Sequence, residues 1–175
     1  AVERLGGETK TEIDCPLWVS DVVGDEYLAV FERVVIIRLN DTRVVDADLE
    51  QLQGLTNLIA LGIHNTHVGD DGLRHLRHLT NLENLSLHNT AISDAGLKHL
   101  EGLTNLEFLS LAGTRVGDSG FEHLRGLVGL QGLYLDGTDI GDAGVRHISR
   151  FVHLRRLSLF HTQVTDAGLK HLQGL

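Results

Sequence analysis

Leu58, Leu82, Leu106, Leu130 and Leu154 stand 24 residues apart with no insertion or deletion between them. One step back lands on Val34, where the apolar pattern still holds, so six units cover 34–175 and residues 1–33 lie outside the pattern. A period of this length marks a chain of stacked supersecondary units, because one unit cannot bury its own apolar face and needs a neighbour. The third unit reads Leu82-x-x-Leu85-x-Leu87-x-x-Thr90-x-Ile92-Ser93-Asp94-Ala95-Gly96-Leu97-x-x-Leu100-x-Gly102-Leu103. Leu supplies 32 of the 175 residues and Gly 20, the bias that such repetition leaves.

Two periodicities divide each unit. The second and third leucines alternate with period two, as in a short strand with one buried face. The later leucines are spaced by three, which predicts one apolar stripe of a short helix. Asp46, Asp70, Asp94, Asp118, Asp142 and Asp166 recur just before that stripe and are expected to be N-caps, meeting the positive helix end. Gly54, Gly102, Gly126 and Gly174 suit left-handed C-caps. Thr42, Thr66, Thr90, Thr114, Thr138 and Thr162 recur at the turn leaving each strand, where a hydroxyl is expected to bond buried backbone groups from rung to rung. Strands stack about 4.8 Å apart and helices roughly 8–10 Å, so the stack bends with its strands on the concave side.

The unit resembles the leucine-rich repeat family, specifically the bacterial proteins whose repeats carry T-D-A-G-L, here Thr165-Asp166-Ala167-Gly168-Leu169. It is also similar to the cysteine-containing class of that family, with Thr where that class has Asn or Cys. The resemblance implies an α/β leucine-rich-repeat solenoid: a curved horseshoe segment with a parallel concave sheet and short convex helices. Residues 1–33 are expected to form an irregular N-terminal cap. In it Ile13 and Cys15 make a partial rung, Asp25–Glu32 a short helix burying Leu28 and Phe31, and Leu5-Gly6-Gly7 the end of a small helix. The repeats run to Leu175 without a polar capping segment, which predicts either further residues beyond it or end-to-end self-association.

Composition removes several classes. With 42% hydrophobic and 22% charged residues the chain is neither disordered nor membranous, and its apolar runs fall far short of the ~18 residues that span a bilayer. A formal charge of −9 disfavours nucleic acid and anionic membranes as partners. The single cysteine excludes an intramolecular disulfide and any multi-cysteine metal site. The missing initiator methionine implies a removed leader or an excised piece, and the compartment stays open.

The chemistry-bearing residues point away from catalysis. His75, His99, His123, His147 and His171 share one helix column, too far apart to share a zinc ion between rungs, and are expected to buttress neighbouring turns. His64 and His88 sit on adjacent strands about 5 Å apart, but no third ligand is evident, so no metal and no cofactor is expected. Ser86 and His88 share a strand face. Asp136, the nearest acid in the His88 column, is two rungs away, roughly 10 Å, and no nucleophile elbow, P-loop or dinucleotide motif is present. The two glycosylation-type sequences, at Asn40 and Asn84, fall on or beside strands and carry no weight.

The solvent-facing strand columns are mostly small or polar, yet Phe108, Tyr134 and Phe160 interrupt them. Each lies two columns further along its strand than the last, which keeps parity and predicts an oblique stripe of rings about 16 Å long on the concave face. Arg156 and Asp136 flank it, and His88 shares the face. The expected function is noncatalytic recognition of a protein or peptide on this sheet. The alternatives are an assembly module associating through the solenoid ends and the sensing portion of a longer receptor. Eleven histidines and an isoelectric point near 5.6 bring the net charge toward zero in mild acid. Light scattering should therefore rise as pH is lowered through that point; a flat trace refutes this.

Overall fold

The computed structural model describes residues 8–11 and 34–175. The expected rung at Ile13 and Cys15, the helix at Asp25–Glu32 and the small helix ending at Gly7 lie outside the described residues.

Seven strands form one sheet in sequence order: β1 (Glu8–Thr11), β2 (Val34–Arg38), β3 (Ala60–Gly62), β4 (Asn84–Ser86), β5 (Phe108–Ser110), β6 (Gly132–Tyr134) and β7 (Arg156–Ser158). Strands β2 to β7 are parallel and paired in a constant register, Ile37 with Leu61, Leu61 with Leu85, and so on to Leu133 with Leu157. Such short parallel strands need a crossover, and each repeat supplies one with a short helical segment on the opposite side, such as Asp70–Leu73, Asp94–Leu97 and Asp142–Ile148. The result is an α/β solenoid. Strand β1 runs antiparallel to β2, Thr9 opposite Ile37, and so lies along the first edge of the parallel sheet.

One apolar core runs the length of the stack. The inward strand residues (Leu85, Leu87), the helical leucines (Leu97, Leu100) and the loop leucines (Leu103, Leu106) are all buried, and Phe121 and Phe151 fill leucine positions at 0% exposure. Each fully buried leucine stabilises the fold by about 1.5–3 kcal/mol. Leu169 in the last repeat is 49% exposed where its equivalents Leu73 and Leu97 are fully buried, since no further rung covers it among the described residues.

The recurrent aspartates do something other than cap their own helix. Each is already the first helical residue, and the N-cap is the variable position before it, Gly69, Ser93, Gly117, Gly141 or Thr165. The carboxylate reaches across to the next rung instead. Asp46 accepts from Gly69 N–H at 2.6 Å, Asp70 from Ser93, Asp94 from Gly117 and Asp118 from Gly141 at 2.7 Å, and Asp142 from Thr165 at 2.8 Å. Where the N-cap carries a hydroxyl it adds a second bond, from Ser93 to Asp70 at 2.6 Å and from Thr165 to Asp142 at 2.7 Å. The next rung must leave room for this. A Cβ on Gly72 or Gly144 would stand 2.6 Å from the oxygen of Asp46 or Asp118, and Gly96, Gly120 and Gly168 are equally crowded. The glycine of the D-A-G-L segment is therefore a docking place for the previous rung's carboxylate.

At Asp142 these bonds favour the ionised acid. The Thr165 amide, then the Thr165 hydroxyl, hold the Asp142 carboxyl below its ordinary value, so its contribution to stability is complete above the normal carboxylate range and is lost as pH falls through the lowered value.

Two other expectations change. The threonine hydroxyls bond within their own rung, each donating to the carbonyl three residues earlier, as Thr66 does to Ile63 at 2.7 Å and Thr138 to Leu135 at 2.6 Å. Gly54, Gly102, Gly126 and Gly174 are not left-handed caps. The left-handed positions form one column where the chain leaves each strand: Asp41, Asn65, Asn89, Gly113, Gly137 and His161, with φ between 53° and 66°. There the Asn65 amide donates to Asp41 at 2.7 Å and the Asn89 amide to Asn65 at 2.8 Å, a ladder of side chains that tolerate positive φ.

Gly96→Ala should destabilise the solenoid by about 1–3 kcal/mol in a urea melt, because the methyl group displaces the Asp70 carboxylate. Gly54→Ala, with open space around it, serves as the control. Equal midpoints for the two variants would remove the docking role.

Candidate functional site

Parity along the strands places residues 36, 38 and 40 of the first repeat, and their equivalents in the later ones, on the concave face. The register lines up Asn84, Phe108, Gly132 and Arg156 in one row and Gly62, Ser86, Ser110, Tyr134 and Ser158 in the next. Helical segments and core leucines hold these backbones from behind, so the side chains in front are free of any packing duty.

An open concavity of about 290 Å³ occupies the centre of this face. Arg38, Asn40 and His64 bound it on one side and Phe108 and Tyr134 on the other, with Gly62, Ser86 and Ser110 as its floor. Small side chains in the floor row make the depression. Asn40 leans over the gap left at Gly62, where a Cβ would stand 2.6 Å from its carbonyl oxygen, and that oxygen accepts from His64 N–H at 3.2 Å. Gly132 works likewise at the opposite rim, where the Phe108 ring lies across it and buries it. Phe108 is thereby half-buried, and Tyr134 stands beside it.

The six residues expected to form the site fall into different surroundings. Phe108 and Tyr134 line the concavity. Phe160 lies outside it, 68% exposed, its ring tilted against His161 with centroids 3.9 Å apart. Asp136 is tied into the last rung, accepting from the Phe160 amide at 2.8 Å and from the Ser158 hydroxyl. Arg156 is exposed on β7. His88 stacks face to face on His64, with centroids 4.0 Å apart and planes 15° from parallel. Sequence reasoning missed the rim formed by Arg38 and Asn40; the signal for it was Gly62, which breaks a row of side-chain-bearing residues.

The stacked histidines share one hydroxyl. Ser86 Oγ lies 3.3 Å from Nδ1 of both His64 and His88, and Asp41 lies 3.7 Å from Nε2 of His64. The order hydroxyl, imidazole, carboxylate is that of a hydrolase relay, and it runs through His64 and Asp41 rather than through Asp136. The spacing is too long for one: 3.7 Å exceeds a hydrogen bond, and the Asp41 side chain is 68% exposed to water. A shared metal is no better served, since no group of three or more His, Cys, Asp or Glu placed to hold one occurs among the described residues. Burial, and then the neighbouring His64, push the His88 pKa below its ordinary value, with Asp41 acting the other way.

The helix-column histidines act as rung-to-rung buttresses where partners allow. His75 bonds Gln53 and His123 bonds Glu101, each at 2.5 Å and each on the preceding rung.

Comparison with known proteins agrees with this architecture. Residues 80–126 match a family model described as leucine-rich repeats in two copies, and residues 152–172 match a second leucine-rich repeat model. Among solved structures, the internalin inlF from Listeria monocytogenes superposes with a TM-score of 0.64 at 26% identity, over 72% of this chain and 36% of the internalin. Internalin C2 from the same organism gives a TM-score of 0.43 at 21% identity, over 85% of this chain and 81% of that one. The chain thus spans little more than a third of the length of inlF. No curated protein matches its sequence.

His88 should titrate below its ordinary value when followed by its ring proton shifts, and His64→Ala should move the midpoint back up by removing the neighbouring ring that lowers it. A His88 midpoint unchanged by that substitution would dissolve the coupling.

Proposed function

Because the chain is a leucine-rich repeat protein, we propose that it recognises a protein or peptide on its concave sheet and catalyses no reaction of its own. The family generally serves protein interaction. The observation that carries the reading for this chain is the placement of large rings on a face that the fold does not need them to fill. Phe108 and Tyr134 wall an open concavity, and Phe160 projects beyond it from the last repeat. Aromatic rings supply most of the binding energy at such surfaces because they bury much area at little cost in side-chain entropy. The concavity is wide and open, which suits an extended segment or a protruding loop better than a small metabolite that needs enclosure.

In this reading Tyr134 and Phe108 grip an apolar side chain, while Arg156 and His88 offer polar contacts along the same face. Asp136 acts at one remove, holding the Phe160 backbone by its amide. Peptides selected from a displayed random library against the chain should lose about 1–3 kcal/mol of binding with each of Phe108→Ala, Tyr134→Ala and Phe160→Ala. Arg74→Ala, exposed on the helical side, should leave binding intact. Equal retention by all four variants would move the site off the concave sheet.

A further inference from the structure

The floor row of the concavity is ordered by chemistry. Arg38, Gly62, Ser86, Ser110 and Tyr134 pair in constant register across β2 to β6, and all of them line the depression. A guanidinium thus closes one end of the row and an aromatic ring the other, with three small residues between them. Phe108, beside Tyr134, widens the apolar end. Arg38 is exposed, and among the described residues its side chain has no hydrogen bond or ion pair. The chain has 24 acidic residues, yet among the described residues none lines the concavity. Asp41 faces Nε2 of His64 while Ser86 faces Nδ1, which puts Asp41 on the other edge of that ring. Asp136 is engaged by the Ser158 hydroxyl and the Phe160 amide. Glu8 holds the position opposite Arg38 in the register of β1.

We infer that the partner presents an extended segment with a carboxylate side chain and, four residues along, a large apolar one, laid across the strands of this row. This rests on the concave-sheet reading and names the chemistry of what that sheet binds. Arg38 takes the carboxylate through the two parallel hydrogen bonds that a guanidinium offers. Phe108 and Tyr134 take the apolar side chain. Between them the backbone passes over Gly62, Ser86 and Ser110, where no long side chain blocks it. Asn40 gives its carbonyl oxygen to His64 N–H and keeps its amide hydrogens for that passing backbone. The spacing follows from two rises. Arg38 is three strands from Phe108, about 14 Å at ~4.8 Å per strand, and four residues of extended peptide span about 13 Å. An even offset keeps both side chains turned to the sheet, whereas an offset of three or five sends one of them to solvent.

The test is fluorescence anisotropy of the full chain with labelled Ser-Gly peptides that carry one Glu and one Phe three, four or five residues apart. Two further peptides keep the four-residue spacing and replace Glu by Gln or Lys. The four-residue Glu peptide should bind most tightly. The Gln peptide should bind about fivefold more weakly, and the Lys peptide more weakly still, because Arg38 repels it. Arg38→Gln should bind the Glu and Gln peptides equally, with an unchanged melting temperature. Glu8→Gln takes a like charge from beside the carboxylate's seat and should strengthen the Glu peptide alone. No binding of the Glu peptide, indifference to spacing, a Glu preference that survives Arg38→Gln, or weakening by Glu8→Gln would overturn the inference. Phe108→Ala and Tyr134→Ala, each expected to weaken the Glu peptide about tenfold, separate it from the reading it rests on. Weakening by the ring variants with equal binding of the Glu and Gln peptides overturns the inference and leaves concave recognition standing. Indifference to Arg38→Gln and to both ring variants removes the two together.

Discussion

A carboxylate on one rung, seated over a glycine of the next and bonded to the backbone amide of that rung's N-cap residue, is the contact on which the solenoid depends. From Asp46 to Asp142 it recurs five times in the same geometry. It answers a problem specific to stacked short helices, whose leading amides have no partner inside so short a segment. Because the acceptor comes from the neighbouring rung, satisfying those amides also sets how the rungs follow one another. Isolated bridges such as Gly69 with Ala91 and Ser93 with Arg115 continue the pairing on the same side. Each rung is therefore fastened twice, along the concave ladder and beside the helical turns.

That double fastening frees the concave side chains. The leucines behind the sheet and the aspartates beyond it carry the stability, so the outward rows vary from Gly62 to Tyr134 without breaking the register. The variation shapes the surface. A missing side chain at Gly62 admits Asn40, and one at Gly132 lets Phe108 lie flat, so glycines on this face are as much determinants of shape as the rings are. The stacked pair of His64 and His88 belongs to the same economy, because two rings at one column of adjacent strands have nowhere to go but face to face.

An aromatic-walled concavity over the middle repeats is superposed on this frame. The repeat does not require it, and elsewhere it tolerates Glu107, Gln131 and Arg155 at one and the same position. Positions that the stack leaves unconstrained are where a binding specificity resides.

How much of this the sequence carried follows from the range of each interaction. The 24-residue spacing is a property of the chain, and it alone determined the strands, the helical turns, the leucine core with Phe121 and Phe151 inside it, and the parity that sends Phe108, Tyr134 and Phe160 to one face. The threonine column was visible too, but a hydroxyl has several carbonyls within reach, and only the turn geometry assigned it to its own rung. The recurrent Asp likewise reads as a helix start, and Gly54, Gly102, Gly126 and Gly174 read as helix ends. Tertiary structure gave Asp70 another task, bonding Ser93 and seating against Gly96 one rung away, and a sequence pattern does not say across which gap a carboxylate will reach. Left-handed turns moved for the same reason, to a column where Asp41, Asn65 and Asn89 bond one another between rungs. Periodicity specifies what repeats along the chain, whereas contacts between repeats depend on their separation and twist, and these exist only once the rungs are stacked.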